Sequence, residues 1–167
     1  MRESTSIALG LSFSSSKRPL TLAHWRTLGT LARCGSLPML QRLDILNDNN
    51  GDEGVALLAD GLRRGKTPSL HRLGLVDAQI GPQGAIALAS ALTKRALPSL
   101  DYINLNSNQL GGAGLTALAP ALRQLPKLRM LCLDDNEITD QVRTSEIMAC
   151  IWSIVSDCSE VQLHGNC

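Results

Sequence analysis

Leucine recurs in this chain at a spacing that dictates a stack of small units instead of a fold around one centre. Leu40, Leu70, Leu100 and Leu128 each open the pattern Leu-x-x-Leu-x-Leu-x-x-Asn-x-Leu, in steps of 30, 30 and 28 residues. Periods in this range mark units that cannot bury their apolar face alone and must cover one another. After each opening leucine comes an apolar pair: Leu43 and Ile45, Leu73 and Leu75, Ile103 and Leu105, Leu131 and Leu133. That alternation is the period of a short strand with one buried and one wet face. Pro38, Pro68, Pro98 and Pro126 stand two residues before the opening leucines, where they are expected to end the preceding helix.

The asparagine position holds Asp48, Ala78, Asn108 and Asn136, and the next inward slot holds Asn50, Ile80, Leu110 and Ile138. An amide there can bond the backbone between stacked units, which Ala78 cannot do. Glycine pairs follow, Gly51 with Gly54, Gly81 with Gly84 and Gly111 with Gly114, where the chain turns into a helix. The second half of each unit has helical period. Val55, Leu58, Ala59 and Leu62 share one face, as do Ala85, Leu88, Ala89 and Leu92, and Leu115, Leu118, Ala119 and Leu122. Strand then helix in every unit predicts an α/β solenoid, a horseshoe segment with a parallel concave sheet and convex helices.

The leucine register and the Gly-x-x-Gly before an alanine-rich helix resemble the ribonuclease-inhibitor-like class of leucine-rich repeat proteins. That class includes ribonuclease inhibitors, the repeat domains of NOD-like receptors and Ran GTPase-activating proteins. The resemblance is carried by residues 37 to 142 and implies one leucine-rich repeat domain over residues 1–167. A divergent N-terminal unit is expected over 1–37, repeats over 38–67, 68–97, 98–125 and 126–155, and a partial fifth strand over 156–167. In the first unit, Leu9, Leu11, Trp25, Leu28, Leu31 and Ala32 are expected to cover the end of the core, with a serine-rich loop from Phe13 to Arg18. At the far end Cys158, Val161, Leu163 and Asn166 stay in register, whereas the glycine pair gives way to Thr139 and Val142.

A net charge of +1 provides no global field for nucleic acid or a membrane surface. Four aromatics, Phe13, Trp25, Tyr102 and Trp152, do not make a base-stacking platform. Cys34, Cys132, Cys150, Cys158 and Cys167 are odd in number and irregularly spaced, the usage of reduced thiols in a cytoplasmic protein.

Catalytic chemistry finds no foothold. Gly61-Leu-Arg-Arg-Gly65-Lys66-Thr67 imitates a phosphate loop, but it has one residue too few between its glycines and follows a helix instead of preceding one. Cys150, Cys158, His164 and Cys167 lack the spacing of a zinc site and point in diverging directions. His24, His71 and His164 come from distant units, and no nucleophile elbow exists. The expectation is no enzyme activity, no metal and no cofactor.

Charge is nonetheless sorted. Arg63, Arg64, Lys66, Lys94, Arg95, Arg123 and Lys127 fall where helices end, and Asp48, Asp52, Glu53, Asp77, Asp134, Asp135, Glu137 and Asp140 where helices begin. Complementation of helix dipoles accounts for that sorting, with partner steering as the other use of two oppositely charged rims. On the strand side, the positions between the buried leucines form columns: Arg42, Arg72, Tyr102, Met130 and Glu160; Asp44, Gly74, Asn104, Cys132 and Gln162; Leu46, Val76, Asn106, Asp134 and His164. Apolar and aromatic members on a wet face point to docking. The expected function is a non-catalytic, intracellular protein-protein interaction module. Its partner would meet the concave face at Arg42, Asp44, Arg72, Val76, Tyr102, Asn104, Asn106, Met130, Cys132 and Asp134. The resemblance also implies two alternatives, a GTPase-activating regulator and a sensor or scaffold segment. The exposed C-terminal edge implies a homodimer as a further partner mode.

Overall fold

The computed structural model describes residues 9–14, 20–139 and 160–162. Each leucine motif is delivered by a turn: the amides of Leu40, Leu70, Leu100 and Leu128 donate to the carbonyls of Leu37, Thr67, Leu97 and Leu125. Pro38, Pro68, Pro98 and Pro126 therefore hold the second position of a four-residue turn, for which their fixed φ is already suited. They do not end the helices, which stop before them at Cys34, Leu62, Ala91 and Leu122.

Six strands result: β1 (Leu9–Ser14), β2 (Leu40–Leu46), β3 (Arg72–Val76), β4 (Tyr102–Asn104), β5 (Met130–Cys132) and β6 (Glu160–Gln162). They pair in parallel in chain order, with Leu43, Leu73, Ile103, Leu131 and Val161 in one row. Phe13 and Ser14, expected in a loop, lie in β1 opposite Ile45 and Leu46. Helices α1 (Leu22–Cys34), α2 (Gly51–Leu62), α3 (Pro82–Ala91) and α4 (Gly111–Leu122) pack side by side on the other face. One continuous core runs between the layers, from Trp25 to Ile138.

Leaving β2, β3, β4 and β5, the chain passes through a left-handed residue: Asn47, Asp77, Ser107 and Asp135, all with φ between 50° and 56°. Short polar side chains tolerate that conformation best. The motif asparagines then close the seams between units. Asn108 Oδ1 accepts from the amides of Ala78 and Ile80, while its Nδ2 donates to the carbonyls of Leu75, Leu105 and Asn106. Asn136 Nδ2 likewise reaches Leu105, Leu133 and Asp134. The missing amide at Ala78 does not leave its own backbone open, because the next unit supplies Asn108.

The first unit plugs the core differently. Trp25 is fully buried and its indole donates to Asp48 Oδ2 at 2.8 Å, and Asn50 donates to the same carboxylate. Asp48 is therefore a buried seam residue and not part of an exposed acidic rim. Helices α1 and α2 approach so closely that a Cβ on Gly61 would lie 2.0 Å from the Gly29 carbonyl oxygen.

Candidate functional site: the concave strand face

Parallel pairing in register sets the strand-face side chains in the columns read from the sequence. Arg42 lies beside Arg72, Arg72 beside Tyr102 and Tyr102 beside Met130, while Asp44, Gly74, Asn104 and Cys132 form the next row. The strand-face positions differ in exposure. Arg42 is exposed and Arg72, Tyr102, Met130, Val76, Asn104, Asn106 and Asp134 are half-buried. Asp44 and Cys132, expected among the docking residues, retain only 3% and 2% of their surface, so little of either is open on the strand face. They lie beneath the exposed side chains of the strand face.

At one end an acid lies between two bases. Asp44 pairs with Arg42 Nε through one oxygen, and with Arg72 Nε at 3.3 Å through the other. A carboxylate taken out of water requires such compensation. Gly74 makes the reach across the strand feasible, since a Cβ there would sit 2.3 Å from Asp44 Oδ1. Held by that acid, the Arg72 guanidinium lies over the Tyr102 ring, 4.0 Å from its centroid. A cation in this position is attracted by the ring's negative face.

From Tyr102 the contacts continue across β5. The phenol oxygen receives Asn104 Nδ2 at 3.4 Å and the Cys132 thiol at 3.7 Å. Asn104 Oδ1 accepts from the Asn106 amide, Asn106 Oδ1 from the Asp134 amide, and Asn106 Nδ2 donates to Asp134 Oδ2. Burial raises the Tyr102 pKa above the ordinary 10.0, with Cys132 adding to the rise and Arg72 opposing it. The phenol therefore stays protonated at neutral pH, beside Asn104 and Cys132. Sequence reasoning placed Gly74 in its column but missed its role, whose signal was a lone glycine beside an aspartate of the preceding strand.

The leucine-rich repeat family model matches residues 67–89 and 96–119. The fold is a leucine-rich repeat solenoid. No curated protein sequence matches the chain. A solved structure titled "Leiomodin-1 Actin-Binding Site 2" is similar to this solenoid, with a TM-score of 0.69 and 18% identity over 84% of this chain and 79% of that one. At such identity the likeness is one of fold. The conceivable zinc ligands Cys150, Cys158, His164 and Cys167 lie outside the described residues of the solenoid, as does Asp140. Among the described residues no helix is long and apolar enough to cross a membrane.

Proposed function

We propose that this solenoid is a non-catalytic protein-interaction module whose partner docks on the concave strand face, centred on Tyr102. The observation that carries it is the linked set Asp44–Arg72–Tyr102, which holds an aromatic ring and a guanidinium in fixed positions on a central strand. Tyrosine and arginine are the side chains that most often anchor interfaces, and ordering them before contact removes part of the entropic cost of binding. A structural neighbour whose title names actin binding supports a protein as the class of partner.

Affinity capture from native cell extract, followed by titration of the captured protein, tests this. Tyr102→Ala should weaken binding by about 1–3 kcal/mol and leave the thermal midpoint nearly unchanged, because the ring lies outside the core. Wild-type affinity in that variant removes the concave face from consideration. Unchanged GTP hydrolysis by small GTPases in the presence of the chain separates an interaction module from a GTPase-activating regulator.

A further inference from the structure

The segment that imitates a phosphate loop lies in an unexpected setting. Arg63, Arg64 and Lys66 meet Arg33 from the end of α1 and Arg95 from beyond α3 around an open basin of about 890 Å³. Stacking brings them together: Gly65 packs against the Arg95 carbonyl, and the Lys66 side chain lies against Gly35. All five cations are exposed. Arg63 is paired with Asp60 at 2.6 Å, but among the described residues the other four have no carboxylate partner.

Helix dipoles explain only part of this concentration, since Arg33 lies in the last turn of α1 and Arg63 caps α2. The dipole acts within the last turn of a helix. Lys66 and Arg95 each lie four residues past the ends of α2 at Leu62 and α3 at Ala91, and neither helix has a basic residue in its last turn. Four unpaired cations also repel one another, so their clustering is unfavourable until an anion arrives.

We propose that this basin binds an acidic segment of a partner protein. Its lining selects among anions. The Arg64 and Gly65 amides are already bonded to the carbonyls of Gly61 and Leu62, so no amide cradle waits for a small phosphate. Among the described residues no aromatic lines the basin, which argues against base stacking, and no large apolar side chain offers a membrane anchor. What remains is an array of guanidinium forks, with the Ser90 and Thr93 hydroxyls beside them, spread over a shallow surface. Forks in that arrangement suit successive carboxylates along an extended chain. This second surface is independent of the concave face.

A fluorescein-labelled poly-glutamate peptide, titrated by anisotropy into the intact chain, provides the test. Wild type should bind saturably and weaken steeply as salt rises toward about 0.5 M. The combined variant R64E/K66E/R95E should lose at least about tenfold in affinity, and R64Q/K66Q/R95Q an intermediate amount, both with native circular dichroism. Reversal of Arg123 and Lys127, elsewhere on the same rim, should change affinity by less than about twofold, and Tyr102→Ala should leave it unchanged. The proposal fails if wild type does not bind the peptide or if reversing Arg123 and Lys127 costs as much as reversing the basin. It fails equally if inorganic phosphate at millimolar concentration displaces the peptide, or if single-stranded RNA binds the basin more tightly than the peptide does.

Discussion

The two rims of the solenoid carry opposite charges, yet they are built for different purposes. Where strands pass into helices, the acidic and amide side chains are consumed by the fold. Asp48 is buried under Trp25, Asp52 accepts from the Gly81 amide at 2.7 Å, Asp77 and Asp135 occupy left-handed positions, and Asn108 and Asn136 close the seams. Where helices return to strands, Arg33, Arg64, Lys66 and Arg95 make no such bonds to the backbone or to acids among the described residues. Sorting by charge alone gives the two rims equal standing, but hydrogen bonding separates a structural rim from an unsatisfied one.

Substitutions on the two rims should therefore differ in kind. The largest loss is expected at Asn108→Ala, which removes the acceptor of two buried amides and one of the donors to the carbonyls of Leu75, Leu105 and Asn106, and should cost about 3–5 kcal/mol in denaturant unfolding. A loss below about 1 kcal/mol would show that the seam is held by packing alone. Asp52→Ala removes a single inter-unit bond and should cost about 1 kcal/mol. Arg64→Ala with Arg95→Ala should change stability by no more than about 0.5 kcal/mol, or raise it through relieved repulsion. A destabilisation equal to that of Asp52→Ala would place both rims in the same structural role.

Between the rims, Tyr102 provides the smallest and most local readout. As the only tyrosine of the chain, it can be followed by ultraviolet absorbance without assignment. Its midpoint should lie above 10.0, falling on Cys132→Ala and rising on Arg72→Ala, because the first change removes a raising influence and the second a lowering one. Above pH 10 the unfolded chain ionises at this group before the folded one does, so stability falls as pH climbs toward the folded value. An ordinary midpoint in the folded protein would mean that the ring stands in open solvent and that the concave network is not formed.

The leucine register was legible because it is a property of one unit repeated, and parallel pairing then fixes every column once the period is known. Arg42, Arg72, Tyr102 and Met130 were found that way. The burial of Asp44 was not legible. Beyond neighbouring Arg42 it depends on a missing side chain at Gly74 and a base at Arg72 in the following strand, so a window around Asp44 contains only part of the cause. Asp48 was misplaced for the same reason, its partner Trp25 lying 23 residues earlier. The prolines were read as helix terminators because Pro breaks helices in general, whereas here the turns at Leu37 and Thr67 use its fixed φ.

The seam asparagines impose an order in time on a chain made from its N-terminus. Asn108 serves amides that precede it by 30 and 28 residues, and Asn136 donates to a carbonyl 31 residues earlier. Until Asn108 emerges, the amides of Ala78 and Ile80 must therefore bond water in place of the next unit. While the chain grows, its newest seam is thus the one still open to water.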